Sequence, residues 1–176
     1  MLRLRRKGFT LVEIMIVVAI IALLAAIAIP NLLRARLNAN ESAAMATCQT
    51  LSSALQSFLS ANPNTGFPAT LVGLAPAGQP PYVDFTLAVA APVRQGYNFT
   101  YTPAAAVGGI VQQYHVYADP ITFATTGIRE FYIDEAGVIY ATQATSAAEA
   151  GNPGHATPAN QGDPDGPGAA VWQPVQ

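Results

Sequence analysis

Lys7-Gly8-Phe9-Thr10-Leu11-Val12-Glu13-Ile14 opens an apolar run that continues to Ile29, and how this stretch is read decides the fold. Met1 to Lys7 carries Arg3, Arg5, Arg6 and Lys7, half of all the Lys and Arg in the chain, and the twenty-one residues 9–29 carry one charge. A run of that length matches the ~20 apolar residues that cross a ~30 Å hydrocarbon core. The basic cluster is expected to stay in the cytoplasm, with the rest of the chain across the membrane. The single charge in the span is Glu13. An acid such as Asp costs roughly 2.5–3.5 kcal/mol at mid-helix and less toward the ends. Two readings offset that cost: the carboxylate snorkels to the cytoplasmic headgroups, or it meets a cation. A cut between Gly8 and Phe9 would supply one, an α-amino group on Phe9 one helical turn away, in the same chain or a neighbouring copy.

A basic leader, Gly8, Phe9-Thr10-Leu11-Val12-Glu13, a long aliphatic run and Pro30-Asn31-Leu32 together resemble the N-terminus of a type IV pilin or type II secretion pseudopilin precursor. The resemblance covers residues 3–60 and implies a membrane prepilin peptidase that cuts after Gly8 and N-methylates Phe9. It implies that Glu13 pairs with the Phe9 amine of an adjacent subunit as the chain self-assembles into a helical filament. It also implies an inner-membrane assembly platform with its ATPase machinery, an inner-membrane store of subunits, and an outlet as a surface pilus or a periplasmic pseudopilus. Pilins of this class often carry a C-terminal disulfide loop, which the single Cys48 of this chain cannot form. An ordinary secretory signal, cut after Ala26-Ile27-Ala28, is the rival reading. Its apolar core is shorter than this run and carries no acid.

Downstream, Pro30 removes one helical hydrogen bond, yet the helical pattern resumes at once, so a kink is expected there. Leu33, Leu37, Ala44, Cys48, Leu51, Leu55 and Phe58 form the stripe of an amphipathic helix, which Asn62-Pro63-Asn64 should end. Counted from Phe9 to Ala61 the helix has about 53 residues, or ~80 Å at 1.5 Å per residue. One half must pack in membrane or against other copies, the other against the rest of this chain. Cys48 reads as a small buried hydrophobe rather than a reactive or lipidated thiol. Arg34 and Arg36 read either as a solvated face or as ligands for headgroups or a neighbour's acid such as Glu41.

Residues 62–96 are rich in Pro and Gly and read as a connecting loop, with a weak strand signal over 83–89. Tyr97, Phe99 and Tyr101 alternate with Asn98, Thr100 and Thr102 as a half-buried strand; 110–118 reads as a second. Residues 129–133 and 138–142 flank Asp134-Glu135-Ala136-Gly137 as a hairpin. The stretch 126–139 also resembles the terminal hairpin of some bacterial pilin-like proteins. The expected fold is α+β: a long N-terminal helix packed on a small antiparallel sheet of three to four strands. The expected divisions are a leader at 1–8, a membrane half-helix at 9–29, an amphipathic half-helix at 30–61, a loop at 62–96, a sheet at 97–143 and a tail at 144–176. Five Gly and five Pro among residues 151–176 argue against a packed element there, and Trp172 reads as a docking point for that tail.

Loss of the leader cations takes the formal net charge from −2 to −6, which argues against general nucleic-acid binding. His115 and His155 lack neighbours at metal-ligand spacing, so no metal and no cofactor are expected. Asp163-Pro164-Asp165-Gly166 holds only a fragment of a calcium loop. Asn98-Phe99-Thr100 matches a glycosylation acceptor by chance. No nucleophile motif such as G-x-S-x-G occurs, so the chain reads as a structural subunit and not an enzyme. A membrane-anchored binding domain that never polymerises is the alternative from a different class.

Overall fold

The computed structural model describes residues 8–143 and 173–175. Its elements are helix α1 (Leu11–Ala61), a 3-10 turn (Leu71–Leu74), and strands β1 (Val93–Arg94), β2 (Tyr97–Pro103), β3 (Tyr114–Pro120), β4 (Arg129–Asp134), β5 (Ile139–Gln143) and β6 (Gln173–Pro174). The chain divides into two units, Met1–Arg36 and Leu37–Gln176, and α1 contributes to both.

In the first unit the helix offers a window of mean hydropathy 3.0 that is wholly unburied, long and apolar enough to cross a membrane. Its large side chains from Phe9 to Leu33 are all exposed. The helix passes through Pro30 without interruption. Pro30 has no N–H to give to the turn before it; beside that gap, Asn31 Nδ2 donates to the Ile27 carbonyl at 3.1 Å.

Among the described residues of the second unit, six strands pair antiparallel in sequential order, β1 to β6. Strict alternation gives the sheet two characters. Tyr97, Phe99, Tyr114, Val116, Ala118, Phe131, Ile133, Ile139 and Ala141 belong to the same buried cluster as Ala44, Cys48, Leu51, Ala54 and Leu55 of α1. The intervening positions carry His115, Tyr117, Tyr132 and Tyr140. Tyr132 there sits edge-on to Tyr117, and its hydroxyl is 2.8 Å from His115 Nδ1. Phe67, Leu71, Leu74, Val83 and Leu87 from the connecting region complete the core, and Tyr114 Oη reaches Ser52 Oγ of α1 at 3.2 Å.

The helix end at Ala61 and the strands that begin at Tyr97 and Arg129 fall where the pattern placed them. Four features differ. Among the described residues the sheet has six strands rather than three to four, with a two-residue strand at each edge. The stretch 83–89 is a set of turns: Asp84 Oδ1 accepts from Thr86 N at 2.7 Å, and its carbonyl accepts from Leu87 N at 2.9 Å. That local bonding competes with a ladder. The third strand starts at Tyr114 and not at 110, since Gly108 and Gly109 take positive φ (63° and 85°) and Val107 pairs with Ile110 in a tight turn. Finally, a strand forms near the end of the tail, where the Gly and Pro content argued against a packed element. Residues 173–175 pair with the sheet: Gln173 with Ala141, Pro174 with Tyr140, and Val175 N donates to the Ile139 carbonyl at 2.8 Å.

Candidate processing and assembly site

Gly8, Phe9 and Thr10 lead into α1, and Phe9 is 83% exposed. Thr10 is the residue that starts the helix. Its Oγ1 accepts from Glu13 N at 3.2 Å, while Glu13 Oε2 accepts from Thr10 N at 2.8 Å and from Thr10 Oγ1 at 2.7 Å. This is a reciprocal capping box, in which a hydroxyl and an acid three residues later satisfy each other's orphan donors. An acid in the first turn also faces the positive end of the helix dipole. The pattern Thr10-x-x-Glu13 was legible as a capping signal, and the apolar reading of the run passed over it.

The consequence is chemical. One oxygen of the Glu13 carboxylate is held by its own helix start; the other, Oε1, has no partner among the described residues. The acid is thus oriented, with one acceptor free for a further donor. Gly8 and Phe9 precede the cap, outside the first hydrogen-bonded turn.

A second acid sits in the Leu37–Gln176 unit. Glu41, expected on a solvated face or as a neighbour's ligand, is 5% exposed. Its Oε1 accepts from Ile128 N at 3.0 Å and Arg129 N at 3.1 Å, and its Oε2 accepts from Arg129 Nε at 2.8 Å. Asn40 Nδ2 adds a bond to the Thr126 carbonyl at 2.9 Å, and Tyr97 Oη donates to the Arg129 carbonyl at 2.8 Å. Gly127 lies between these anchors, where any Cβ would collide with the Tyr97 hydroxyl. These residues stitch the start of β4 to α1. Glu41 is therefore already engaged by Arg129, and Arg34 and Arg36 stay exposed.

Cys48 is fully buried in the core, and burial, with a smaller contribution from the Asp119 charge, pushes its thiol up to about 12. That describes an inert hydrophobe. His115 is held by Tyr132, and no group of three or more metal-ligating side chains occurs among the described residues. His155, Asp163-Pro164-Asp165-Gly166 and Trp172 lie outside the described residues.

The chain has a helix with an exposed apolar half and an acid-capped start, and a unit in which helix packs on antiparallel sheet, an α+β arrangement compatible with a pilin-like fold. Residues 3–29 match the family described as the prokaryotic N-terminal methylation motif. The chain thus carries a prepilin-type N-terminal methylation motif. It is similar to the type IV major pilin protein PilA of Myxococcus xanthus, 44% identical over 72 residues that make up 41% of this chain and 33% of that one. It is also similar to the type IV wide pilus major component PilA4 of Thermus thermophilus, 69% identical over 35 residues, 20% of this chain and 27% of that one. The matched stretches thus span only about a third or less of these relatives. Both are named as components of pili, not as enzymes. No solved structure matches the chain.

Proposed function

We propose that the chain is the precursor of a structural subunit of a type IV pilus. In this reading a prepilin peptidase cuts after Gly8 and methylates the new Phe9 amine. Residues 9–29 hold the subunit in the inner membrane, N-terminus cytoplasmic, until a membrane platform and its ATPase feed it into a filament. Residues 30–61 continue the helix past a kink at Pro30. The observation that supports this most is the pairing of a wholly exposed apolar half-helix with an acid that has one free oxygen at its start.

The mechanism follows from that acid. An unpaired charge in a bilayer or a helix bundle costs several kcal/mol, and a matched partner offsets much of it. Thr10 fixes Glu13 Oε2, so the free Oε1 is the acceptor for the Phe9 amine of an adjacent copy as subunits dock. The names of both relatives favour a pilus over a secretion pseudopilus.

Intact mass and N-terminal sequencing of the protein from native membranes tests the reading. A start at methylated Phe9 supports it; a start after Ala28, or an uncut Met1, refutes it. Glu13→Ala should leave the cut intact and abolish filaments. Normal filaments from that variant would sink the pairing.

A further inference from the structure

We infer that Arg34 and Arg36 form a binding site for anionic phospholipid headgroups, in the leaflet opposite the leader, and that this contact fixes the depth of the span. The inference rests on the membrane-anchored part of the reading above and adds to it a lipid partner.

The two residues close the apolar run. Residues 14–33 carry no charge, and twenty residues at ~1.5 Å each make a helix of ~30 Å, the thickness of a hydrocarbon core. At the far end of that run Ile29, Leu32 and Leu33 are all more than half exposed. The one amide side chain in it, Asn31, donates to the Ile27 carbonyl of its own helix. The surface offered to lipid therefore stays apolar up to Arg34. A helix seated with residues 14–33 in hydrocarbon puts the Arg34 backbone at the boundary, and the long side chain carries its guanidinium outward to the phosphate layer. Arg36 is turned from it by about 200° around the helix and reaches the same layer on the other side. The pair thus takes two headgroups rather than one.

The chemistry selects phosphate. A guanidinium keeps its charge, and its planar fork gives two parallel N–H bonds to a phosphate group. Headgroups with net negative charge are favoured because they attract cations held near the surface. Both arginines are exposed, and neither joins an ion pair among the described residues. The next acid along the chain, Glu41, has both oxygens engaged by residues 128 and 129. The same seating has a consequence at the other end of the span. Glu13 lies ~31 Å before Arg34 along the axis and falls at the opposite boundary, so the headgroup contact holds the acid at the edge of the hydrocarbon, where its free oxygen can be reached.

Lipid retention tests this. The full chain is reconstituted in nanodiscs of phosphatidylcholine with phosphatidylglycerol as the minority lipid, and native mass spectrometry reads the lipids that stay bound on release. Phosphatidylglycerol should be enriched on the unaltered chain over its share of the disc. Arg34→Gln combined with Arg36→Gln should lower that enrichment roughly fivefold. The leader cations Arg3, Arg5, Arg6 and Lys7 are common to both proteins, so the difference reports the pair. Neither arginine belongs to the buried core, and the melting temperature should not change. Arg94→Gln, which removes an exposed cation from the sheet edge, should leave the enrichment as it was. Equal enrichment in the double variant, or an equal loss from Arg94→Gln, overturns the headgroup site and leaves the filament reading standing. A chain that alkaline carbonate strips from native membranes does not span them and overturns both.

Discussion

Glu41→Ala should unfasten the β4 end of the sheet from α1, and its cost can be worked from the bonds it breaks. The carboxylate accepts from two backbone N–H groups and from the Arg129 side chain. Each N–H left buried without an acceptor costs about 1–3 kcal/mol. The Arg129 side chain is 41% exposed and lies over the Phe131 ring, 5.5 Å from its centre. It can turn to water and keep part of that contact, so losing the ion pair adds only about 0.2–1 kcal/mol. The sum is roughly 3 kcal/mol after partial relaxation, mostly from the backbone donors. At about 2–4 °C per kcal/mol for a chain of this size, the melting temperature should fall by ~6–12 °C. Arg129→Ala removes the ion pair but leaves both N–H bonds, so it should cost about 1 kcal/mol or less. Thermal melts of the detergent-solubilised full chain, followed by near-ultraviolet circular dichroism of the buried tyrosines, measure both. If Arg129→Ala costs as much as Glu41→Ala, the backbone donors are not what Glu41 serves and the reasoning fails.

Two further outcomes are expected. Thr10→Val keeps the shape of the side chain but removes the hydroxyl that bonds Glu13 N and Oε2. The helix start should lose ~1 kcal/mol, seen as faster amide exchange over residues 11–14, while Thr10→Ser restores protection; equal exchange in all three would rule out the cap. Stability should also fall at alkaline pH. The folded Cys48 thiol stays neutral to about 12 against an ordinary 9.0, so above pH 9 the unfolded chain releases the proton first. The contribution is whole below pH 9 and is lost as the pH rises toward 12. Burial raises Tyr97, Tyr101 and Tyr132 in the same sense. Cys48→Ala should show a shallower decline over that window in urea titrations, and an identical slope would refute the thiol's part.

The stripe from Ala44 to Leu55 and the alternation over 97–102 were readable because burial on one face imposes a period, and a period survives in sequence. The capping box was readable too, but the apolar run masked a polar motif only four residues long. Glu41 was harder. Its partners lie at 128 and 129, and no local pattern reports a bond across that separation. One clue stood in the chain: residues 42–61 carry no charge at all, so a lone acid at their start had reason to be occupied. Strands β1 and β6 are two residues each, too short for any alternation to show, and β6 is far from β5 in the sequence, so no local pattern reports their pairing. The 83–89 stretch failed for the opposite reason. Its β-prone composition was overruled by one Asp that bonds its own backbone.

Those two short edge strands have a bearing on crowding. A filament holds sheets at very high local concentration, where any long open edge would template another copy's strand. Here each edge ends in two residues. Arg94 places a charge at one, and Pro174 has no N–H to offer at the other. In the filament proposed above, the two edges of the described sheet would offer little to sheet-to-sheet zipping, leaving helix and side-chain contacts to direct assembly.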